Sequence, residues 1–358
     1  MINRPDYIEP DRQKDRQVTA RQNIPTALTN GKIFTGRKIV TGKDVLIENG
    51  RICSIIDHSK VPPGSLIIDC KGENISPGLI DLQIAGGGGY LFSAVTTSDA
   101  LEAISRAILI SGTTGFLVAM PTNSPEVYRK AFSVMKSKPH PAVLGLHLEG
   151  PYISHAKRGA HIPEFIRQPV KSEVKALLDE AEGTIKMMTV APEICDPEIT
   201  RLLTDYGVIL AAGHSNATFR EASVSFDHGI KTVTHLFNAM SSIHHRDPGL
   251  PGAAFNSDKV RASIIADGIH VDFNMLSISK KIMKERLFLV SDAVEENIEG
   301  AYRHVRKKDR FTLPDGTLSG SSLSMLDAVR NCVNHAGIPV DEALRMASEY
   351  PADLIGAH

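Results

Sequence analysis

A small set of side chains could assemble metal-assisted or acid–base chemistry. Glu149 ends the run AVLGLHLEG, His214 follows VILAAG, His235 lies in TVTHLFN and Asp292 closes LFLVSDA. Asp267 and His270 come together in IADGIH, after another apolar run. Taken singly, a histidine at the end of an apolar run is most simply a hydrogen-bonded structural residue. An aspartate there has an equally plain role, because it caps the following helix. Recurrence at the ends of four separate runs is what sets Glu149, His214, His235 and Asp292 apart. Two imidazoles and one carboxylate, with water completing the shell, form a catalytic zinc arrangement. An ion so held lowers the pKa of its water toward about 7 and polarises a carbonyl. A neighbouring carboxylate such as Asp292 could take a proton from that water and pass it to a leaving group.

Other candidates keep plainer readings. His147 stands two residues before Glu149, on the same strand face, which suits a supporting or core role. Residues 243–247, IHHRD, read as a solvated loop, and His140, His155 and His304 carry no spacing signal. Cys53, Cys70, Cys195 and Cys332 are scattered without CxxC spacing, so neither a zinc ribbon nor a disulfide framework is indicated. Cys195 has no paired histidine motif, and Ser215 and Ser291 lack the GxSxG context of a nucleophilic serine.

The elements that must position these groups follow from patterning. After Pro77, eight short apolar runs between residues 75 and 293 alternate with helix-period segments at 98–111, 125–136, 171–181, 197–206 and 219–228. Continuous apolar strands alternating with helices indicate a parallel sheet covered on both faces. Eight repeats over this length predict an α/β fold, a (β/α)8 TIM-like barrel, in which chemistry sits at the carboxyl ends of the strands. A doubly wound open sheet is the rival, but the GGGG at 86–89 lacks the full G-x-G-x-x-G pattern. Residues 1–26 read as a polar arm, 27–74 as a small antiparallel β domain with turns at Asn30-Gly31, Asn49-Gly50 and Pro62-Pro63-Gly64, and 75–358 as the barrel. Within the last, 294–322 read as a polar irregular insertion, followed by helices at 323–336 and 340–348.

Composition narrows the function classes. The 358 residues are 42% hydrophobic and 23% charged, with a formal net charge of −1. That balance excludes a broad basic surface, so nucleic acid is not an expected partner. No apolar stretch approaches the roughly 20 residues that cross a bilayer, and the first residues lack a secretory signal's apolar segment. A cytoplasmic protein without membrane contact is expected.

The motifs PGLIDLQIAGGGG, GLHLEGPYIS, KRGAHIPEF, TVAPE, AGHSNAT, THLFNAM, HHRDPGLPGAA, IADGIHVD, SDA and GTLSGSSLSM occur in unbroken order. Together they resemble the N-acetylglucosamine-6-phosphate deacetylases of the amidohydrolase superfamily. The resemblance implies a barrel plus a small β-sandwich built from both chain ends; the sequence stops at DLIGAH, before the returning strands, so part of that sandwich is expected to be missing. It implies hydrolysis of N-acetyl-D-glucosamine 6-phosphate to D-glucosamine 6-phosphate and acetate, in amino-sugar catabolism. By motif, Glu149, His214 and His235 resemble the metal ligands, Asp292 the catalytic acid/base, and His270 the contact to the amide carbonyl. Ala160, His161, Asn238, Ala239 and the Leu318-Ser319-Gly320 backbone resemble substrate contacts. Arg246 resembles a phosphate-binding arginine that reaches the neighbouring subunit of a homodimer. Where many amidohydrolases carry H-x-H, this chain has Asp81-Leu82-Gln83-Ile84-Ala85, which implies one divalent ion per subunit. Zinc is the first expectation, with iron, cobalt and manganese sharing the same donor preferences. Two alternatives stand beside this reading: the N-acetylgalactosamine epimer as substrate, or a catalytically inactive sugar-phosphate binding protein.

Overall fold

The computed structural model describes residues 24–137, 139–298 and 300–357. They form two compact units, one running to Pro77 and the other beginning at Gly78.

The first unit holds two small sheets. One has four strands in the order Arg51–Ile56, Asp44–Glu48, Thr26–Thr29, Leu66–Asp69; the other has three in the order Ile39–Val40, Lys32–Phe34, Asn74–Ile75. Asn49 and Gly50 make the expected hairpin turn, both left-handed at φ 51° and 73°. Asn30-Gly31 does not, because the strands on its two sides enter different sheets. Gly31 instead lets the backbone approach Ile75, whose side chain a Cβ there would overlap. The unit is also not purely antiparallel, since Thr26–Thr29 and Lys32–Phe34 each take a parallel partner. Sequence alternation reports which face is buried, not which distant strand pairs alongside.

The second unit is the barrel. Leu79–Ile84, Thr113–Pro121, Val143–Glu149, Ile185–Val190, Ile209–Ala212, Ile230–Val233, Arg261–Ile264 and Leu287–Leu289 pair side by side in sequence order, all parallel. Each of the eight apolar runs supplies one strand. Their side chains are enclosed on both faces: Leu117, Met120, Leu146 and Leu148 are wholly buried, each contributing roughly 1.5–3 kcal/mol of apolar burial. The ring closes just beyond the eighth strand, where the Asp292 N–H donates to the Gln83 carbonyl at 3.0 Å and the Ala85 N–H to the Ala293 carbonyl at 2.8 Å.

Helices Ser98–Ile110, Pro125–Lys136, Lys171–Ala181, Pro197–Asp205 and Phe219–Asp227 occupy the expected segments. Thr97, Ser124, Asp196 and Thr218 cap four of them by accepting a first-turn N–H. Met325–Ala336 and Val340–Ala347 follow the insertion as expected, while Gly249–Asn256, Phe273–Met283 and Glu349–Ile355 are additional helices. The first of these, GLPGAAFN, has poor helix propensity. Tertiary burial overrides that, with Leu250, Ala253 and Ala254 almost fully enclosed. The 294–322 segment carries a short ribbon, Val305–Arg306 against Phe311–Thr312. Among the described residues, no helix is long and apolar enough to cross a membrane.

Candidate metal and catalytic site

Glu149 is the last residue of the third barrel strand, and His214, His235 and Asp292 follow the fifth, sixth and eighth. The latter three all adopt left-handed backbone, at φ 46°, 31° and 52°. Such conformations cost about 1–3 kcal/mol each in non-glycine residues and persist only where surroundings dictate them. They do so here. Ser215 Oγ and the Asn216 N–H, just past His214, donate to the Glu193 carboxylate at 2.7 and 2.6 Å. The His235 N–H donates to Ser263 Oγ at 2.8 Å. The Asp292 carbonyl accepts from the Ser321 N–H at 2.8 Å.

The consequence is a tight convergence of lone pairs. Glu149 Oε1 lies 2.9 Å from His235 Nε2 and 3.1 Å from His214 Nε2, and the two Nε2 atoms are 3.2 Å apart. His214 Nδ1–H donates to the Lys157 carbonyl at 3.0 Å, an acceptor only, so its Nε2 lone pair faces the cluster. Burial drives the His214 pKa down to about 4, leaving that imidazole neutral. Burial works to raise the Glu149 pKa, but the histidines around it outweigh this and hold it well below the usual carboxylate range. At His235 burial opposes a charge, and the Glu149 carboxylate overcomes it, raising the pKa. An anionic oxygen and an imidazole lone pair this close, with no proton between them, call for a cation. The donor set therefore fits a divalent ion with two imidazole and one carboxylate ligands.

Gln83 ties this cluster to the fourth group. Its Nε2 donates to Glu149 Oε1 at 3.0 Å and to Asp292 Oδ1 at 2.9 Å. Burial, reinforced by the Glu149 charge, pushes the Asp292 pKa up to about 7. His270 is held by Asp267: Nδ1–H donates to Oδ2 at 2.6 Å, while Oδ1 accepts the Ile269 and His270 N–H groups at 2.8 Å. Burial tends to raise the Asp267 pKa, but the His270 bond and these amides lower it. His147 has the supporting role its spacing suggests. It donates from Nδ1 to the Leu82 carbonyl at 2.8 Å and contacts Thr189 Oγ1 through Nε2 at 2.7 Å.

Glu149, His214, His235, His270 and Asp292 face a cavity of about 280 Å³. Its wall also includes Ala160, His161, Asn238, Ala239, Leu318, Ser319 and Gly320. Arg246 is not on that wall. It is exposed, in a turn closed by reciprocal backbone bonds between His244 and Asp247 at 3.0 and 3.1 Å. Within one chain, solvation of that charged turn leaves it outside the cavity.

Two wall residues, Tyr302 and His304, carry no sequence signal, because strand-end spacing is blind to an irregular insertion. His304 Nδ1 meets Ser319 Oγ at 2.8 Å, and burial lowers its pKa to about 4. The Tyr302 hydroxyl donates to the Thr122 carbonyl at 2.6 Å, and the Thr122 N–H donates to His161 Nδ1 at 3.2 Å. His161, when neutral, therefore carries its proton on Nε2, 3.6 Å from Glu149 Oε2.

Comparison with known proteins identifies the family. The profile of the amidohydrolase family matches residues 74–358, and that of the NagA composite domain matches residues 26–75. The chain is 35% identical to the N-acetylglucosamine-6-phosphate deacetylase of Haemophilus influenzae, covering 92% of this chain and 90% of that protein. It is 34% identical to the N-acetylgalactosamine-6-phosphate deacetylase of a Shewanella species, over 90% of this chain and 85% of that one. The crystal structure of the N-acetylglucosamine-6-phosphate deacetylase from Pasteurella multocida superposes with a TM-score of 0.89 at 34% identity, covering 93% of this chain and 90% of that one.

Proposed function

Because the chain belongs to the amidohydrolase family, we propose that it hydrolyses the acetamide of N-acetyl-D-glucosamine 6-phosphate, releasing D-glucosamine 6-phosphate and acetate in amino-sugar catabolism. The observation that carries this reading is the Gln83 bridge, which joins a proton-carrying Asp292 to the Glu149, His214 and His235 donor set on one cavity wall.

One divalent ion, zinc as the first expectation with iron, cobalt or manganese sharing the donor preferences, would be held by Glu149, His214 and His235, and when bound it would polarise the acetamide carbonyl and acidify a water. Asp292 takes the proton of the attacking water and returns it to the amine as the C–N bond breaks. His270, held by Asp267 and facing the cavity, contacts the amide oxygen as negative charge grows there. Gln83 offers a neutral amide where a second imidazole pair would be needed, so one ion per chain is expected. Ala160, His161, Asn238, Ala239 and the Leu318-Ser319-Gly320 backbone hold the sugar. Among the described residues the cavity wall contains neither lysine nor arginine, although the substrate carries a phosphate. Arg246, reaching in from a second copy, supplies that charge through bidentate hydrogen bonds. This makes the working unit a homodimer, placed in the cytoplasm with its phosphorylated substrate.

The Shewanella relative favours a second reading, in which the galactosamine epimer is the substrate. Acetate release from both sugar phosphates, run on protein of measured metal content, tests both. Turnover of the glucosamine form above that of its epimer is the expected result. The reverse preference selects the second reading, and no acetate from either sugar rejects both.

A further inference from the structure

Asp81 lies two residues before Gln83 on the first barrel strand and is completely buried. It is not on the wall of the catalytic cavity, so it has no direct part in binding the sugar. A buried carboxylate costs several kcal/mol unless its oxygens find donors. Asp81 finds its donors across the seam where the barrel closes. Oδ1 accepts the Gln83 N–H at 3.1 Å and the Ser291 N–H at 3.2 Å, and Oδ2 accepts the Ser291 hydroxyl. Ser291 Oγ in turn accepts the Ala293 N–H at 3.1 Å. The residue enclosed by these contacts is Asp292, whose left-handed φ of 52° needs external support. The remaining support comes from its own amide on Gln83 and from Ser321 on its carbonyl, at 3.0 and 2.8 Å.

We propose that Asp81 is the positioning residue for Asp292: by clamping Ser291 to the first strand, it sets the turn that aims the Asp292 carboxyl at the Gln83 amide and into the cavity. This rests on the deacetylase reading for its kinetic consequence. Asp81 hydrogen-bonds none of the three ion ligands, and it reaches the proton carrier through Ser291 and the backbone on either side.

The test compares metal-loaded wild type, Asp81→Ala, Asp81→Asn and Ser291→Ala. Misplacing a reacting group by about 1 Å can cost about 100-fold, and that is the expected loss of kcat in Asp81→Ala, with KM and metal content unchanged. Asp81→Asn keeps an acceptor for the two backbone N–H groups and should recover to within about tenfold of wild type. A folded Asp81→Ala with wild-type kcat, or one that loses metal in proportion to activity, overturns the proposal. Should Asp81→Ala fail to fold, Ser291→Ala decides. Lower kcat at constant KM and metal content sustains the clamp, and unchanged kcat removes it. If the wild type releases no acetate, the deacetylase reading falls separately. Crystal structures of wild type and Ser291→Ala then settle the positioning: a displaced Asp292 carboxyl sustains it and an unmoved one overturns it.

Discussion

On one side of the cavity, Glu149 ends one barrel strand and His214 and His235 follow two others, and their ligand atoms meet within 3.2 Å. On another, Tyr302, His304 and Leu318-Ser319-Gly320 come from a single irregular segment that, among its described residues, carries a ribbon of two short strands. The first side is set by parallel register and by strained turns pinned from below. The second is held by the Tyr302 hydroxyl on Thr122 and by bonds within the segment, among them His304 to Ser319 and the backbone pair of His304 and Asn297. The difference teaches a division of labour. Donor atoms that converge this tightly stand at the ends of barrel strands, whereas the groups proposed to contact the sugar stand on a largely irregular segment.

If that division is right, damage on the metal side should appear in metal content and kcat, and damage on the recognition side in KM. The largest effect belongs to the ligands. His214→Ala or His235→Ala should lose the ion and with it roughly 1,000-fold or more in activity, since a Lewis acid supplies several kcal/mol of transition-state stabilisation. Full metal occupancy in either variant, by elemental analysis, would remove that residue from the ligand set. Asp292→Asn comes next. It should retain its metal and lower kcat at least about 100-fold, the usual contribution of a positioned proton carrier. Near-normal turnover there would refute the assignment.

Arg246→Ala should act through KM for the phosphorylated sugar, by about 10- to 100-fold for a lost charge-assisted contact, with a smaller change in kcat. The unphosphorylated sugar should hardly notice. Hybrid dimers of Arg246→Ala with Asp292→Asn chains should regain one intact site, and failure to do so would place the arginine's action within its own chain. The smallest effect is a pH dependence of stability. His304 is buried with its pKa lowered to about 4, below the value near 6.5 expected in the unfolded chain. The unfolded chain therefore takes up this proton first, and stability falls as pH drops through 6.5 toward 4. Its share is about 1 kcal/mol by pH 5.5. Unfolding of His304→Gln should lack this portion of the acid sensitivity, and an identical pH slope in both proteins would contradict the burial argument.

Much of this is legible in the sequence. Eight apolar runs of strand length, each closed by a small or polar residue, specify a parallel barrel because strands buried on both faces can carry no alternation. The endings at Glu149, His214, His235 and Asp292 follow, because a barrel brings all carboxyl ends to one rim. The caps at Ser124 and Thr218 are equally local, since each satisfies amides a few positions away.

Other features are invisible at that range. The helix Gly249–Asn256 contradicts its own propensity and exists through burial. The parallel pairs of the small unit depend on strands from distant parts of its sequence. Nothing near His304 advertised a place on the cavity wall. Asp81 and Ser291 are 210 residues apart, and only barrel closure makes them partners. Local chemistry is written in neighbouring side chains, so composition, period and strand endings disclosed the fold class and the metal-side residues. The left-handed turns at His214, His235 and Asp292, the Gln83 bridge and the exclusion of Arg246 from its own chain's cavity arise from contacts between remote segments. Those contacts come into being only when the sheet closes, and so the tertiary structure alone decided them.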